Sequence, residues 1–383
     1  GGGIGGMAAA LALALRGASV TVLEQSPEIT EVGAGLQISP NGMSVLSAWG
    51  VADALVARSV PVERVRLRNH RDGLDVVGLD VAGAQYNQPW LAVHRADLLE
   101  ILTDAARSAG VQIELGASVE GVIEGGRKGV TLSDGRTVRA GVIVAADGVK
   151  SNLRSEVERV QTPAFRGQVA WRALVPGAGE AEPPEVSVFM GPGSHVVRYP
   201  LRAGDLINLV AVKERRAWAE DGWNHSDDPS VLRAAFEGYA PEIQADLAKV
   251  DEVHLWGLHR RPVAKRWTNG RVALLGDAAH ATLPFLAQGA VMAIEDAWVL
   301  ADCLVNSDTV EVGLALYESR RKARCRKTVA SADRNAWAYH LRVPVFRDVA
   351  HLTLGLGEKL RPGMALGQYD WLYRKDVTAP GEP

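Results

Sequence analysis

The sequence predicts a mixed α/β fold: one sheet-and-helix domain assembled from separated segments, a mostly β insertion, and a helical region at the C-terminal end. Three observations predict it. The chain opens on a glycine-rich turn that runs into an Ala/Leu helix and then a strand ending in an acid. Residues 165–212 read as successive strands with no helix between them. A short buried strand near Val272 then passes through a Gly-Asp turn into a second apolar helix, which returns the chain to its first domain.

Composition bounds the function before any motif is read. A chain of 383 residues is long enough for two domains, or for one large domain with an insertion. A hydrophobic content of 47% and a net charge of −3 argue against nucleic acid or an anionic membrane as partner. The 42 basic residues are dispersed apart from the run Arg320 to Lys327, whose helical spacing predicts a solvated face, next to an anionic cofactor. Cys303 and Cys325 form neither a metal spacing nor a disulfide framework, which fits a reducing cytoplasm. No metal site is expected, because the histidines lack ligand spacing. The apolar run Met7 to Leu15 is far too short to span a membrane and lacks the basic leader of a signal peptide.

The first element is Gly1-x-Gly3-x-x-Gly6, followed by a helix (Met7 to Leu15) and the strand Ser19 to Glu24. This is the pattern of a Rossmann-like dinucleotide site. The glycines permit a tight turn, close backbone approach to a pyrophosphate, and packing of helix on sheet; Glu24 accepts ribose hydroxyls. Such a turn should follow a central parallel strand, and none precedes Gly1, so the sequence is expected to be trimmed at its N-terminus. A glycine-rich loop from Glu31 leads to a helix over Asn41 to Trp49. Strands follow between Val62 and Leu79, then a helix opened by His94-Arg95. Short strands lie at 111–115, 129–132 and 137–138, and a buried strand ends at Asp147-Gly148. The β-rich stretch comes next, with a helix predicted over Pro229 to Leu247.

The strand Val272 to Leu275 ends at Gly276-Asp277, which puts a carboxylate within reach of a sugar or ribityl hydroxyl. The following helix starts near Gly289-Ala290 and leaves its first N–H groups open to an anionic or electron-rich ligand. A long helix is expected over Leu314 to Tyr339, and the tail with Trp371 and Tyr373 as a packing or subunit surface that allows a homodimer. These elements divide the chain into a discontinuous Rossmann-like domain (1–62, 90–160 and 260–310), an inserted domain (63–89 and 161–259) and a C-terminal helical region (311–383).

Taken together, the Gly1–Glu24 unit, Asp147-Gly148 and Gly276-Asp277 with its helix resemble the single-component flavoprotein monooxygenases that hydroxylate aromatic rings. The similarity is greatest to the group of salicylate hydroxylase, 3-hydroxybenzoate 6-hydroxylase and 6-hydroxynicotinate 3-monooxygenase, and it extends to Phe165–Arg172 and Gly191–Pro200. The resemblance implies an FAD-binding domain with an inserted substrate domain. FAD would lie extended over Gly1, Gly3, Gly6 and Glu24, with Arg95 near its pyrophosphate or ribityl chain. Asp277, after Gly276, would bond the ribityl side, and the backbone at Gly289 and Ala290 would face the pyrimidine. Asp147 and Gly148 match a motif tied to both FAD and a nicotinamide cofactor. NADH or NADPH would therefore dock transiently, with molecular oxygen as the other co-substrate. Two departures stand out: Ala281 replaces a common Pro, and Val291 a common Gly, where it is expected to crowd the flavin.

The resemblance further implies that reduced flavin and oxygen give a C4a-hydroperoxide, whose terminal oxygen passes to an electron-rich ring carbon of a small aromatic substrate. Removing a phenolic proton activates such a ring, and imidazole is suited to the task. His195 lies on a predicted strand with Tyr199 four residues on, so both share a face. The pair matches the family's base and its partner. Pro284, Phe285 and Met292 are expected to form apolar pocket walls. His280 is expected to hold a loop. Two rival functions remain open: a flavin oxygenase acting on a non-phenolic heterocycle, and a flavin-binding sensor without turnover.

Overall fold

The computed structural model describes residues 1–29, 34–123, 129–159, 164–215 and 225–380. The Glu31–Gly33 part of the glycine-rich loop lies outside the described residues. Six helices carry the architecture: α1 (Ile4–Ala14), α2 (Pro40–Ala48), α3 (Arg95–Ser108), α4 (Gly289–Val305), α5 (Val310–Tyr339) and α6 (Pro344–Leu360).

The first helix is apolar on nearly every side and packs between α3 and α4, which explains why it shows no amphipathic stripe. Around it, the strand Thr21–Glu24 pairs in parallel with Gln112–Leu115, and Ile143–Ala145 pairs in parallel with Val272–Leu274. These two parallel pairs are not hydrogen-bonded to each other. One hydrophobic core joins α1, α4, these strands and the buried side of α5.

The middle of the chain forms an eight-stranded sheet. Its order is His225–Asp227, Val253–Arg260, Ala164–Pro176, Leu206–Glu214, Ser194–Leu201, Glu185–Gly191, Arg64–Asn69 and Asp75–Asp80. Neighbours run antiparallel except Glu185–Gly191 with Arg64–Asn69. Alternation along the strands gives the two faces different tasks. Val169, Trp171 and Val196 pack against the short helices Pro229–Ala235 and Pro241–Ala248, while Arg172, His195 and Tyr199 point to the opposite face. The expected single helix over 229–247 is split because Pro241 starts a new helix instead of continuing the first.

One reading of the C-terminal part is corrected. The basic run at 320–327 is not a solvated face throughout: Arg321 is 1% exposed and ion-paired to Glu295 and Asp296 on α4. Of the two roles expected of the tail, packing or subunit surface, Tyr373 takes the first: it packs on Trp90, with ring centroids 4.7 Å apart. Among the described residues, no helix is long and apolar enough to cross a membrane.

Candidate active site

A cavity of about 760 Å³ lies between the eight-stranded sheet, the start of α4 and the end of α5. Gly3, Arg95, Gly148, Gly276 and Asp277 line one part of its wall, with Gly289 and Ala290 at the head of α4. His195, Tyr199, Pro284 and Phe285 line the rest. Met292 does not. It is 1% exposed in the hydrophobic core, on the side of α4 turned away from the cavity. Val291 does not crowd the cavity either: its methyls face Gly42 on α2. Ala281 adopts φ −45° and ψ 127°, a backbone that proline also accepts.

The glycine turn is built by contact. A Cβ on Gly6 would lie 1.9 Å from the Gly1 carbonyl oxygen, so any side chain there breaks the turn. Gly3 is the opposite case: its Cβ position meets nothing within 4 Å and opens into the cavity. Beside the turn, the Glu24 carboxylate accepts the Gly2 N–H at 2.5 Å and the Ser26 N–H at 2.8 Å, which fixes it at the strand end. Asp147 accepts the Leu153 N–H with one oxygen, and its other buried oxygen has no partner among the described residues. Gly1, Gly6, Glu24 and Asp147 are thus beside the cavity wall, not on it.

At the other side, Gly276 sits at φ +62°, which turns the chain from strand into the short helix Asp277–His280. Asp277 is exposed only towards the cavity it lines. Enclosure by protein raises the pKa of its carboxyl, against the opposing pull of His280 and Arg95. An open glycine wall, an orphaned carboxylate oxygen and an enclosed acid together suit an extended dinucleotide with hydroxyls to bond and phosphates to seat.

His195 is 2% exposed, and its ring lies 5.2 Å from Phe285 and 5.6 Å from Tyr339, centroid to centroid. Its Nδ1 is 2.7 Å from Nε2 of His340, and Nδ1 of His340 is 3.2 Å from the Glu214 carboxylate. Burial, with the neighbouring His340 adding to it, pushes the His195 pKa well below the ordinary imidazole value. His195 is therefore neutral at pH 7. Tyr199 is not its hydrogen-bond partner. Four residues along a strand is roughly 13 Å, and the Tyr199 ring packs at Gly35 beside Asn208. Burial raises the Tyr199 pKa, so that phenol stays protonated. Arg198 faces away from the cavity and pairs with Glu182 and Asp246. Arg172 lines the cavity, its guanidinium 5.2 Å from the Trp256 ring centroid.

Behind Asp277 lies a buried polar network that sequence reading missed. His280 Nε2 is 2.5 Å from Asp296, whose other oxygen accepts from Arg321 at 2.7 Å. Glu295 is held by Arg321, Arg324 and Asn41. Burial opposes ionisation of Glu295, but Arg324 and Arg321 prevail and bring its pKa down to about 2. The expectation that His280 holds a loop agrees with this geometry. Adjacent acids on one helix opposite arginines three apart on the next were the available signal. For His340 no signal existed, since it lies on a separate element 145 residues along the chain from His195. Glu214 ends the strand that pairs with that of His195, just past the stretch that reads as a strand to Val212.

Over residues 1–332 the chain matches the family described as FAD binding domain, and it belongs to that family. It is an FAD-dependent monooxygenase of the aromatic hydroxylase class. A 3-amino-4-hydroxybenzoate 2-monooxygenase of Streptomyces platensis is 32% identical over 391 residues, covering 100% of this chain and 96% of the relative. A 3-hydroxybenzoate 6-hydroxylase of Polaromonas naphthalenivorans is 34% identical over 351 residues, covering 89% and 87%. Klebsiella pneumoniae HpxO, solved with FAD and uric acid, matches with TM-score 0.83 and 28% identity over 95% of this chain and 94% of that one. A salicylate hydroxylase substrate complex matches with TM-score 0.82 and 25% identity over 99% and 95%.

Proposed function

We propose that this protein hydroxylates a small phenolic or hydroxyaromatic acid, consuming NADH or NADPH, with His195 as the base that activates the ring. The observation that carries this reading is a neutral imidazole on the cavity wall whose Nδ1 is committed to His340. That commitment leaves Nε2 as the atom available to accept a phenolic proton. FAD, when bound, would supply the activated oxygen that enters the ring.

The chain's own residues do the rest. The Gly1–Gly6 turn and Glu24 would hold the pyrophosphate and adenosine ribose, Asp277 would bond the ribityl side, and Asp147-Gly148 would border both cofactors. The open backbone at Gly289 and Ala290 would face the ring system. The inserted sheet acts as the substrate domain, with Pro284 and Phe285 excluding water and Arg172 anchoring a substrate carboxylate. The hydroxybenzoate substrates in the names of two relatives support that substrate class. Likeness to HpxO with uric acid favours a second reading, hydroxylation of a fused heterocycle.

The test is to incubate FAD-loaded protein with NADH or NADPH and 3-hydroxybenzoate, 3-amino-4-hydroxybenzoate, salicylate or uric acid, then weigh the products. A hydroxybenzoate product heavier by one oxygen supports the reading. Reductant consumption stimulated by uric acid alone transfers it to the heterocycle.

A further inference from the structure

We propose that His340 and Glu214 form a proton relay with His195, carrying the substrate's proton from the buried cavity to the protein surface. The proposal rests on the reading of His195 as the ring-activating base and adds the route by which that base discharges. Three groups stand in line. His195 Nδ1 is 2.7 Å from His340 Nε2, and His340 Nδ1 is 3.2 Å from Glu214 Oε1. Both imidazoles are buried, at 2% and 4% exposure, whereas the Glu214 side chain is 28% exposed and paired with the exposed Arg342. The line therefore begins on the cavity wall and ends at solvent.

The chemistry of the terminal group sets the direction of every proton. An ionised carboxylate only accepts, so Glu214 takes the Nδ1–H of His340. His340 Nε2 is then bare and accepts the Nδ1–H of His195, which leaves His195 Nε2 bare towards the substrate. Gln168 does not upset this order. Its amide nitrogen is 3.2 Å from His340 Nδ1 and its buried oxygen has no partner among the described residues, so a turned amide presents an acceptor to the same N–H.

Transfer proceeds with full balance. The substrate O–H bond breaks and its proton joins His195 Nε2; the Nδ1 proton of His195 moves to His340 Nε2. The Nδ1 proton of His340 passes to Glu214 and from there to water. One proton leaves and the substrate keeps the electron pair as a phenolate; a proton later passing inward along the same line sends the His195 Nε2 proton to the product oxygen, which restores both tautomers.

The fold supports a transient positive charge midway. His340 caps the C-terminal end of the 30-residue α5, where unpaired carbonyls favour a cation. Its own carbonyl accepts the Gly193 N–H, and the Glu214 N–H bonds the Gly193 carbonyl, so one glycine ties both relay elements together. Arg342 opposes that charge and Glu214 favours it; burial keeps the resting His340 below the usual imidazole pKa. Without the two partners, a proton accepted by His195 beneath a bound ring has only the substrate to return to.

The experiment uses oxidised, FAD-loaded protein without reductant, so no turnover intervenes. Mix it with 3-amino-4-hydroxybenzoate in weak buffer containing a pH-indicator dye, and follow phenolate absorbance and proton release by stopped flow. His340→Gln is expected to slow proton release by at least about tenfold, and Glu214→Gln by about threefold, with probe affinity little changed. Added imidazole should restore the rate in His340→Ala. If His340→Gln fails to fold or to retain flavin, Glu214→Gln, altered at the surface, carries the test. Loss of phenolate in His195→Asn with wild-type proton release in the His340 and Glu214 variants overturns the relay and leaves the base in place. Wild-type behaviour of His195→Asn itself overturns the base reading and the relay with it.

Discussion

Two buried histidines, one on the cavity wall and one in the network behind Asp277, differ in charge. His195, on the sheet, and His280, behind Asp277, are 2% and 0% exposed. Burial pushes both towards the neutral form. For His195 the nearest partner is another imidazole, which adds to that push. For His280 the Cys325 sulfur and the Asp296 carboxylate overcome it, and its pKa stands well above the ordinary value. Partner, not depth, decides the state. A neutral imidazole can accept a proton at pH 7; a charged one, locked to Asp296 and backed by Arg321, is part of a frame. On the proposed reading, chemistry and support are divided between identical side chains.

That contrast can be broken at several points, in order of expected effect. Replacing His195 by Asn should lower hydroxylation roughly two to four orders of magnitude, read as product formed per flavin, while flavin content stays near wild type. Asp296→Ala attacks the other histidine. It strands the charges of His280 and Arg321 in the interior, and should cost about 3–5 kcal/mol in urea unfolding of the FAD-loaded protein. If that variant is as stable as wild type, the network is not ionised as described.

Stability against pH sharpens the same contrast. Glu295, depressed to about 2, contributes on the order of 3 kcal/mol above the ordinary carboxylate pKa, lost as pH falls towards 2. His195 is depressed too, so the unfolded chain binds its proton first and stability falls as pH drops below about 6.5. His280 is raised, so its contribution is full below about 6.5 and fades as pH rises through its folded pKa. Urea unfolding from pH 3 to 9 should therefore show a shallower alkaline limb in His280→Asn and a shallower acid limb in His195→Asn. The smallest effect is expected from Tyr199→Phe. With Tyr199 roughly 13 Å along the strand from His195, turnover should fall less than about tenfold. A loss matching that of His195→Asn would make Tyr199 the partner after all.

What the sequence disclosed follows from the range of each interaction. The Gly1–Gly6 turn, Gly276-Asp277 and the head of α4 are local: their conformation is dictated by neighbours within a few residues, and all lie at or beside the cavity. Strand alternation put His195 and Tyr199 on one wall, and both line it. Alternation says nothing of what stands opposite, so His340, brought in by the end of α5, was invisible, and Tyr199 took its place as the expected partner. The same limit misread Arg321. A run of basic residues looks solvated until the helix carrying Glu295 and Asp296 packs against it. Met292 and Val291 were assigned to the flavin side by adjacency to Gly289, but the turn of the helix carries both into the core.

The most direct measurement is side-chain nitrogen NMR of ¹⁵N-histidine-labelled, FAD-loaded protein at pH 7, with signals assigned from the His195→Asn and His280→Asn spectra. The account predicts a neutral His195 protonated on Nδ1 alone and a His280 protonated on both nitrogens. Two histidines in the same charge state would contradict it.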